Sequence, residues 1–141
     1  MEDLVRILVG CLAAVVIVPV VGLLLLIMMP VWRDDARLGD FHERVLAIPL
    51  PPETRSAGNS EAEFDKNGSG NGDYCRYEIR LPLSTGLSAG ELGAYYRRAA
   101  IAGVDDEANV HLEWGEDTKD GRAVVVKFSD LSASDWDFRC A

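Results

Sequence analysis

The sequence predicts an α+β protein: one N-terminal transmembrane helix followed by a small antiparallel sheet with one helix packed on one face. Three observations carry that expectation. Residues 7–29 hold no charged side chain, the segments 74–83, 110–114 and 122–128 alternate apolar with polar residues, and Ser88-Ala89-Gly90-Glu91 opens a helix ahead of an apolar stripe.

Fifteen of the 23 residues in 7–29 are Ile, Leu or Val. As a helix this run spans roughly 35 Å, against about 30 Å for a hydrocarbon core. No soluble helix needs apolar residues on every face for six turns, and Pro19 is tolerated in a membrane helix. Trp32 and Arg33 suit the interface beyond it. A cleaved signal peptide would have a shorter run and a small-residue cleavage site, whereas this one ends in Met28-Met29-Pro30-Val31-Trp32. Leu8-Val9-Gly10-Cys11 resembles a lipobox, but the apolar run continues for 18 residues past Cys11. The organisation read from this is a signal-anchor over 1–29, a juxtamembrane stem over 30–44 and one small acidic domain over 45–141.

Flanking charge opposes Arg6 to Arg33, Arg37 and Arg44, which favours a cytoplasmic domain. Cysteine usage points the other way. Outside the apolar run only Cys75 and Cys140 remain, both at core-facing parity, a pair that an oxidising compartment would bridge. The cysteine argument is preferred, because both charged flanks are short and mixed. Residues 30–141 carry 13 Lys or Arg against 21 Asp or Glu, so a nucleic-acid partner is not expected.

Along the chain, Leu38, Phe41 and Val45 recur at helical spacing in the stem, interrupted by Gly39, and His42 reads as a solvated residue there. Residues 45–50 read as an edge strand or an extended entry segment, closed by Pro49, Pro51 and Pro52. Pro49-Leu50-Pro51-Pro52 also fits PxxP, which a rigid strand exit explains equally. Residues 54–73 read as a long loop or a loose hairpin. In 74–83, Cys75, Tyr77, Ile79, Leu81 and Leu83 face inward and Tyr74, Arg76, Glu78 and Arg80 outward. The helix after Ser88 has Leu92, Tyr95, Tyr96, Ala99 and Ala102 as its stripe, Arg97 and Arg98 toward its C-terminus, and Gly103 as its cap. Val110, Leu112 and Trp114 then alternate with His111 and Glu113; a turn over 115–121 leads to Val124, Val126 and Phe128 facing inward. The chain is expected to end in a strand with Trp136, Phe138 and Cys140 inward and Asp135, Asp137 and Arg139 outward.

The sharpest local pattern is Asp65-Lys66-Asn67-Gly68-Ser69-Gly70-Asn71-Gly72-Asp73, which matches the first nine positions of a calcium loop. Asp65, Asn67, Ser69 and Asp73 could give side-chain oxygens and Asn71 a carbonyl. The match then stops: Arg76 stands where the bidentate Glu is required, so a plain Gly/Asn turn is the better reading and no metal is expected. Asn67-Gly68-Ser69 is also a glycosylation sequon. Of the histidines, His111 with Glu113 two residues on could form a base and its orienter, but no serine or cysteine is placed to join them, so no catalytic residue is assigned. The acidic clusters Asp34-Asp35, Asp105-Asp106-Glu107 and Asp135/Asp137 read as solvated, and isolated cysteines argue against zinc. No cofactor is expected.

The anchor, the Pro-rich entry, Gly70-Asn71-Gly72-Asp73-Tyr74-Cys75 leading into an alternating strand, and Leu87-Ser88 to Tyr95-Tyr96 opening a helix together resemble small membrane- or lipid-anchored envelope proteins of high-GC bacteria. The excess of Arg (11) over Lys (3) fits such a source. The resemblance covers residues 45–102 and implies an envelope location without a particular activity. The expectation is therefore a single-pass protein, in contact with the lipid bilayer through residues 7–29, whose domain is a binding or structural module outside the cytoplasm. A membrane-bound hydrolase using His111 and Glu113, or a cytoplasmic-facing regulator, is the alternative. A Cys75–Cys140 disulfide is expected if their strands are neighbours.

Overall fold

The computed structural model describes residues 2–66, 74–119, 121–133 and 137–140. Helix α1 (Glu2–Leu46) runs unbroken for 45 residues, through Pro19, Pro30 and Gly39. From Leu12 to Met29 its large apolar side chains stand exposed, save the half-buried Met28. It is the one helix among the described residues long and apolar enough to cross a membrane. Residues 30–44 continue the same helix, but there its character changes. Val31, Asp34, Phe41 and Val45 are buried and Leu38 is half-buried, a single stripe laid against the sheet. The interruption expected at Gly39 does not form. A helical glycine costs about 1 kcal/mol, less than the burial of Phe41 and Val45 beside it contributes.

The strand expected over 45–50 is not formed either. Val45 and Leu46 finish α1, and the Ala47 N–H still donates to the Glu43 carbonyl at 2.9 Å. Pro49 then excludes further helix.

Five antiparallel strands follow: β1 (Thr54–Ser56), β2 (Glu61–Lys66), β3 (Tyr74–Thr85), β4 (Asn109–Thr118) and β5 (Gly121–Ala133). Their order is β1-β3-β5-β4, with β2 also paired to β3. Of the two readings of residues 54–73, pairing prevails over loop. β1 lies beside Leu83–Thr85 and β2 beside Cys75–Arg80, so two short strands share one edge of β3. The gap between them falls at Pro82, which has no N–H to give a neighbouring strand; there the Ala57 N–H donates to the Pro82 carbonyl at 2.9 Å and the chain bulges away. The turn between β4 and β5 is tighter than expected, since β4 continues past a bulge between Trp114 and Asp117. Gly121 closes it at φ +123, where a Cβ would stand 2.8 Å from the Thr85 carbonyl oxygen.

Helix α2 (Ala89–Ala99) opens on the expected capping box: the Ser88 N–H donates to Glu91 Oε2 at 3.0 Å and Ser88 Oγ accepts from the Glu91 N–H. Leu92, Gly93 and Tyr96 are its buried residues, and Ala99 is exposed. Burial pushes the Tyr96 hydroxyl up to about 12. The helix ends earlier than the sequence predicts. Ala100, not Gly103, takes the left-handed position (φ 44). Gly103 is committed elsewhere, in a turn where a Cβ would collide with the Asp130 carboxylate. That buried carboxylate accepts the N–H groups of Val104, Asp105 and Asp106 at 2.7, 2.9 and 3.1 Å. Helix α2 and the second half of α1 cover one face of the sheet. Between them and the sheet lie Tyr77, Ile79, Leu83, Val124, Val126 and Phe128.

Cys75 and Cys140 form a disulfide, Cα atoms 5.3 Å apart and both buried. The strand expected after 134 is absent from the described part of that segment. Residues 137–140 make a turn, closed by the Cys140 N–H on the Asp137 carbonyl at 3.0 Å. Cys140 is buried as expected, but the parity is reversed at the two residues before Arg139: Asp137 is fully buried and Phe138 is 61% exposed. Trp136 lies outside the described residues.

The reason for the reversal is a polar clasp between this turn and α1. The Arg139 guanidinium donates to Asp137 (2.7 Å), to Asp35 (2.7 Å) and to the Val31 carbonyl (3.3 Å), and stacks 4.3 Å from the Phe64 ring centre. Asp137 also hydrogen-bonds Asp34, which bonds Tyr77. Burial raises the Asp34 carboxyl above its ordinary value and the Asp137 charge adds to this, offset in part by Tyr77, Arg33 and Arg37. Burial acts upward on Asp137 too, but the bonds and charge of Arg139 outweigh it and hold Asp137 below the usual range. The two carboxyls are thus pushed in opposite directions, Asp34 upward and Asp137 downward.

Two predictions follow from the turn and its clasp. Cys140→Ser should lower stability by about 4 kcal/mol on chain-entropy grounds, read as a lower urea midpoint in detergent micelles. The carboxyls should show opposite pH signatures. Stability from Asp137 is present above the unfolded value near 3.9 and lost as pH falls through its lowered folded value. Stability from Asp34 is present below that value and lost as pH rises through its raised one. Asp137→Asn should therefore cost about 3 kcal/mol at pH 7 and little in acid. Asp34→Asn, a mimic of the protonated acid, should match wild type in acid and exceed it at pH 7. Denaturation midpoints at pH 7 and in stronger acid, about pH 2, check both.

Candidate functional site

Among the described residues no helix covers the second face of the sheet, and its side chains form a ladder of charge across four strands. β2 contributes Glu61, Glu63 and Asp65; β3 Arg76, Glu78 and Arg80; β5 Lys127; β4 His111 and Glu113. The register sets Arg80 opposite Lys127 and Glu63 opposite Glu78, like charges that repel across a pair. Diagonal contacts relieve them. Glu78 Oε1 lies 3.0 Å from Arg80 Nε and 3.9 Å from Lys127 Nζ, and its Oε2 is 3.8 Å from Arg76 Nη1. Arg80 also reaches Glu63 at 3.7 Å, and Lys127 reaches Glu113 at 2.5 Å. Glu78 is only 7% exposed, because these three cations close over it.

Beside this ladder the split edge leaves a shallow groove of about 360 Å³. Pro82 and Val125 form its apolar floor; Asn59, Glu61, Arg80 and Glu113 stand around it. Its position follows from Pro82, which parts β1 from β2 and lets residues 57–60 bulge outward. The groove combines a flat apolar base with two exposed carboxylates and one guanidinium already engaged by Glu78 and Glu63. Such a site can accept a cationic or hydrogen-bonding group.

The residues singled out from sequence fall as follows. His111 and Glu113 are exposed on this face, as their parity predicts. Glu113 is bonded to Lys127, which holds its carboxyl below the usual range, and His111 acts on it only as a minor charge. The geometry therefore does not make Glu113 the orienter of His111. His42 is half-buried and bonds Ser60 Oγ at 2.7 Å rather than standing in solvent. Asp65 is held by Arg76 in a two-pronged pair, Nη2–Oδ2 2.8 Å and Nε–Oδ1 3.0 Å. The arginine at the twelfth calcium position is thus the partner of the first; Asn67, Ser69, Asn71 and Asp73 lie outside the described residues. Among the described residues no three His, Cys, Asp or Glu side chains gather as a metal centre. Asp34, read as solvated, is buried in the clasp.

The sequence reading missed Glu78 as a hub and the groove altogether. The signals were present in Arg76-x-Glu78-x-Arg80 on a wet strand face and in a proline within an alternating strand.

Searches for similar proteins find no matching family model, no matching curated protein and no matching solved structure.

Glu78→Gln should remove the carboxylate shared by three clustered cations, leaving each only its outer partner (Asp65, Glu63 or Glu113), and cost about 2 kcal/mol, the partial exposure of Arg76 and Arg80 keeping it below a fully buried pair. Thermal melts of Glu78→Gln in low and high salt should show the deficit shrinking as salt rises. Glu61→Gln, at the exposed rim, should change stability by about 0.5 kcal/mol or less.

Proposed function

We propose that the protein is a single-pass, membrane-anchored recognition module whose uncovered sheet face engages a basic segment of a protein partner outside the cytoplasm. The observation that carries this reading is the groove at Pro82, an apolar floor flanked by the exposed carboxylates of Glu61 and Glu113 on an otherwise uncovered face. A domain whose residues 30–141 carry net charge −8 would draw a cationic segment to it.

The compartment rests on the Cys75–Cys140 disulfide, a bond that oxidising environments maintain. The flanking arginines Arg33, Arg37 and Arg44 argue against it only weakly, because both charged flanks of the apolar run are short and mixed.

Two measurements test the proposal. A phosphatase reporter that is active only in an oxidising compartment, fused after Ala141, should be active, and its inactivity would refute the location. A photo-crosslinking side chain at Asn59, in native membranes, should capture a protein that the Glu61→Gln/Glu113→Gln double variant captures less well. No capture at 59 beyond that at Arg98, on the opposite side of the sheet, would refute the recognition surface.

A further inference from the structure

We propose that the end of the domain carrying Phe138 is itself a lipid-contacting surface, seated in the headgroup layer at the level of Trp32. The protein would then meet the bilayer at a second place besides its apolar helix. This rests on the reading of residues 7–29 as a membrane span.

Phe138 is 61% exposed, yet it is not part of a loose tail. Asp137 before it is fully buried, with its carboxylate accepting the Arg139 N–H at 2.9 Å. Arg139 after it is fixed to Asp35 and to the Val31 carbonyl, and Cys140 is in the disulfide. A large apolar ring is therefore held outward by neighbours that are tied down on both sides. In water that arrangement gains nothing; at a membrane surface an aromatic ring is favoured.

The height of the ring follows from the same contacts. Asp137 bonds Asp34, so the turn lies at the level of Asp34 on α1. Asp34 is five residues beyond Met29, the last residue of the apolar run, which is about 7.5 Å along a helix. The headgroup layer on each side of a bilayer is about 5–8 Å deep. Trp32, 56% exposed, lies within that layer on α1. Tyr74, 47% exposed, begins β3 beside Cys75 and so lies at the same end of the sheet. Three exposed aromatic rings thus stand at the end of the domain from which the apolar helix departs. The second half of α1 packs against the domain with no linker, so that end is kept near the lipid surface.

The test uses the full chain reconstituted in phosphatidylcholine vesicles. A photo-crosslinking benzophenone side chain is placed at Phe138, at Leu24 within the apolar run, or at Arg98, which lies beside Ile48 near the far end of α1. Lipid adducts are expected at 138 and 24 and none at 98. A lipid adduct at 24 without one at 138 would overturn the seat and leave the anchor standing. A protein–protein adduct at 138 in place of lipid would also overturn it, making this end a contact between copies. Absence of lipid adducts at both 24 and 138 would overturn the span and the seat together. The unmodified chain gives a reading free of any folding defect. Lipid spin-labelled at the headgroup should broaden the Phe138 amide resonance more than that of Arg98, and equal broadening would refute the proposal.

Discussion

The interaction on which the rest of the structure depends is the burial of Asp137 against α1. A carboxylate taken out of water must be paid for in kind, and Arg139, Asp34 and Tyr77 supply the compensation from three separate elements. Because Asp34 and Asp35 belong to the helix that leaves the domain, this one cluster binds the last turn of the chain, the first residues of β3 and the junction with the apolar segment. The disulfide between Cys75 and Cys140 joins the same two pieces of chain by a covalent bond, three residues from Asp137. Polar pairing and covalent bond thus reinforce a single junction, and the sheet inherits its position from it.

Much of this fold was legible in the sequence because side-chain period is a strong signal wherever one face is buried. Cys75, Tyr77 and Ile79, and Val124, Val126 and Phe128, read directly as a core face, and Ser88 with Glu91 read as a helix start. β2 was not legible. Glu61, Glu63 and Asp65 alternate with only Ala62 and Phe64, and such a strand is stabilised by Arg76 and Arg80 across the pair, not by its own apolar content. The final segment misled for a different reason. Its alternation was real, but the sequence does not say that Asp137 turns inward to a half-buried arginine and leaves Phe138 exposed.

The site shows the same division. His111 and Glu113 were visible as wet-face residues, since exposure follows from parity alone. Glu78 shared that parity yet is buried, because its surroundings are made by residues of β3 and β5 that only the register brings together. Pro82 illustrates how a local chemical deficit becomes a surface feature. A missing N–H splits an edge, the split displaces a loop, and the displaced loop leaves a groove.

Helix α1 passes from the apolar run into the core of the domain without a linker, and this has a mechanical consequence. An apolar stretch longer than the local hydrocarbon thickness adjusts by leaning, and thinner or thicker membranes change the angle. With a flexible tether that lean would dissipate before reaching the sheet. Here Val31, Asp34, Phe41 and Val45 weld the helix to the strands, so on the proposed membrane-anchored reading any inclination of the span would turn the whole charged face by the same amount relative to the bilayer plane. On that reading the thickness of the host membrane would become a determinant of the direction in which the domain presents its groove.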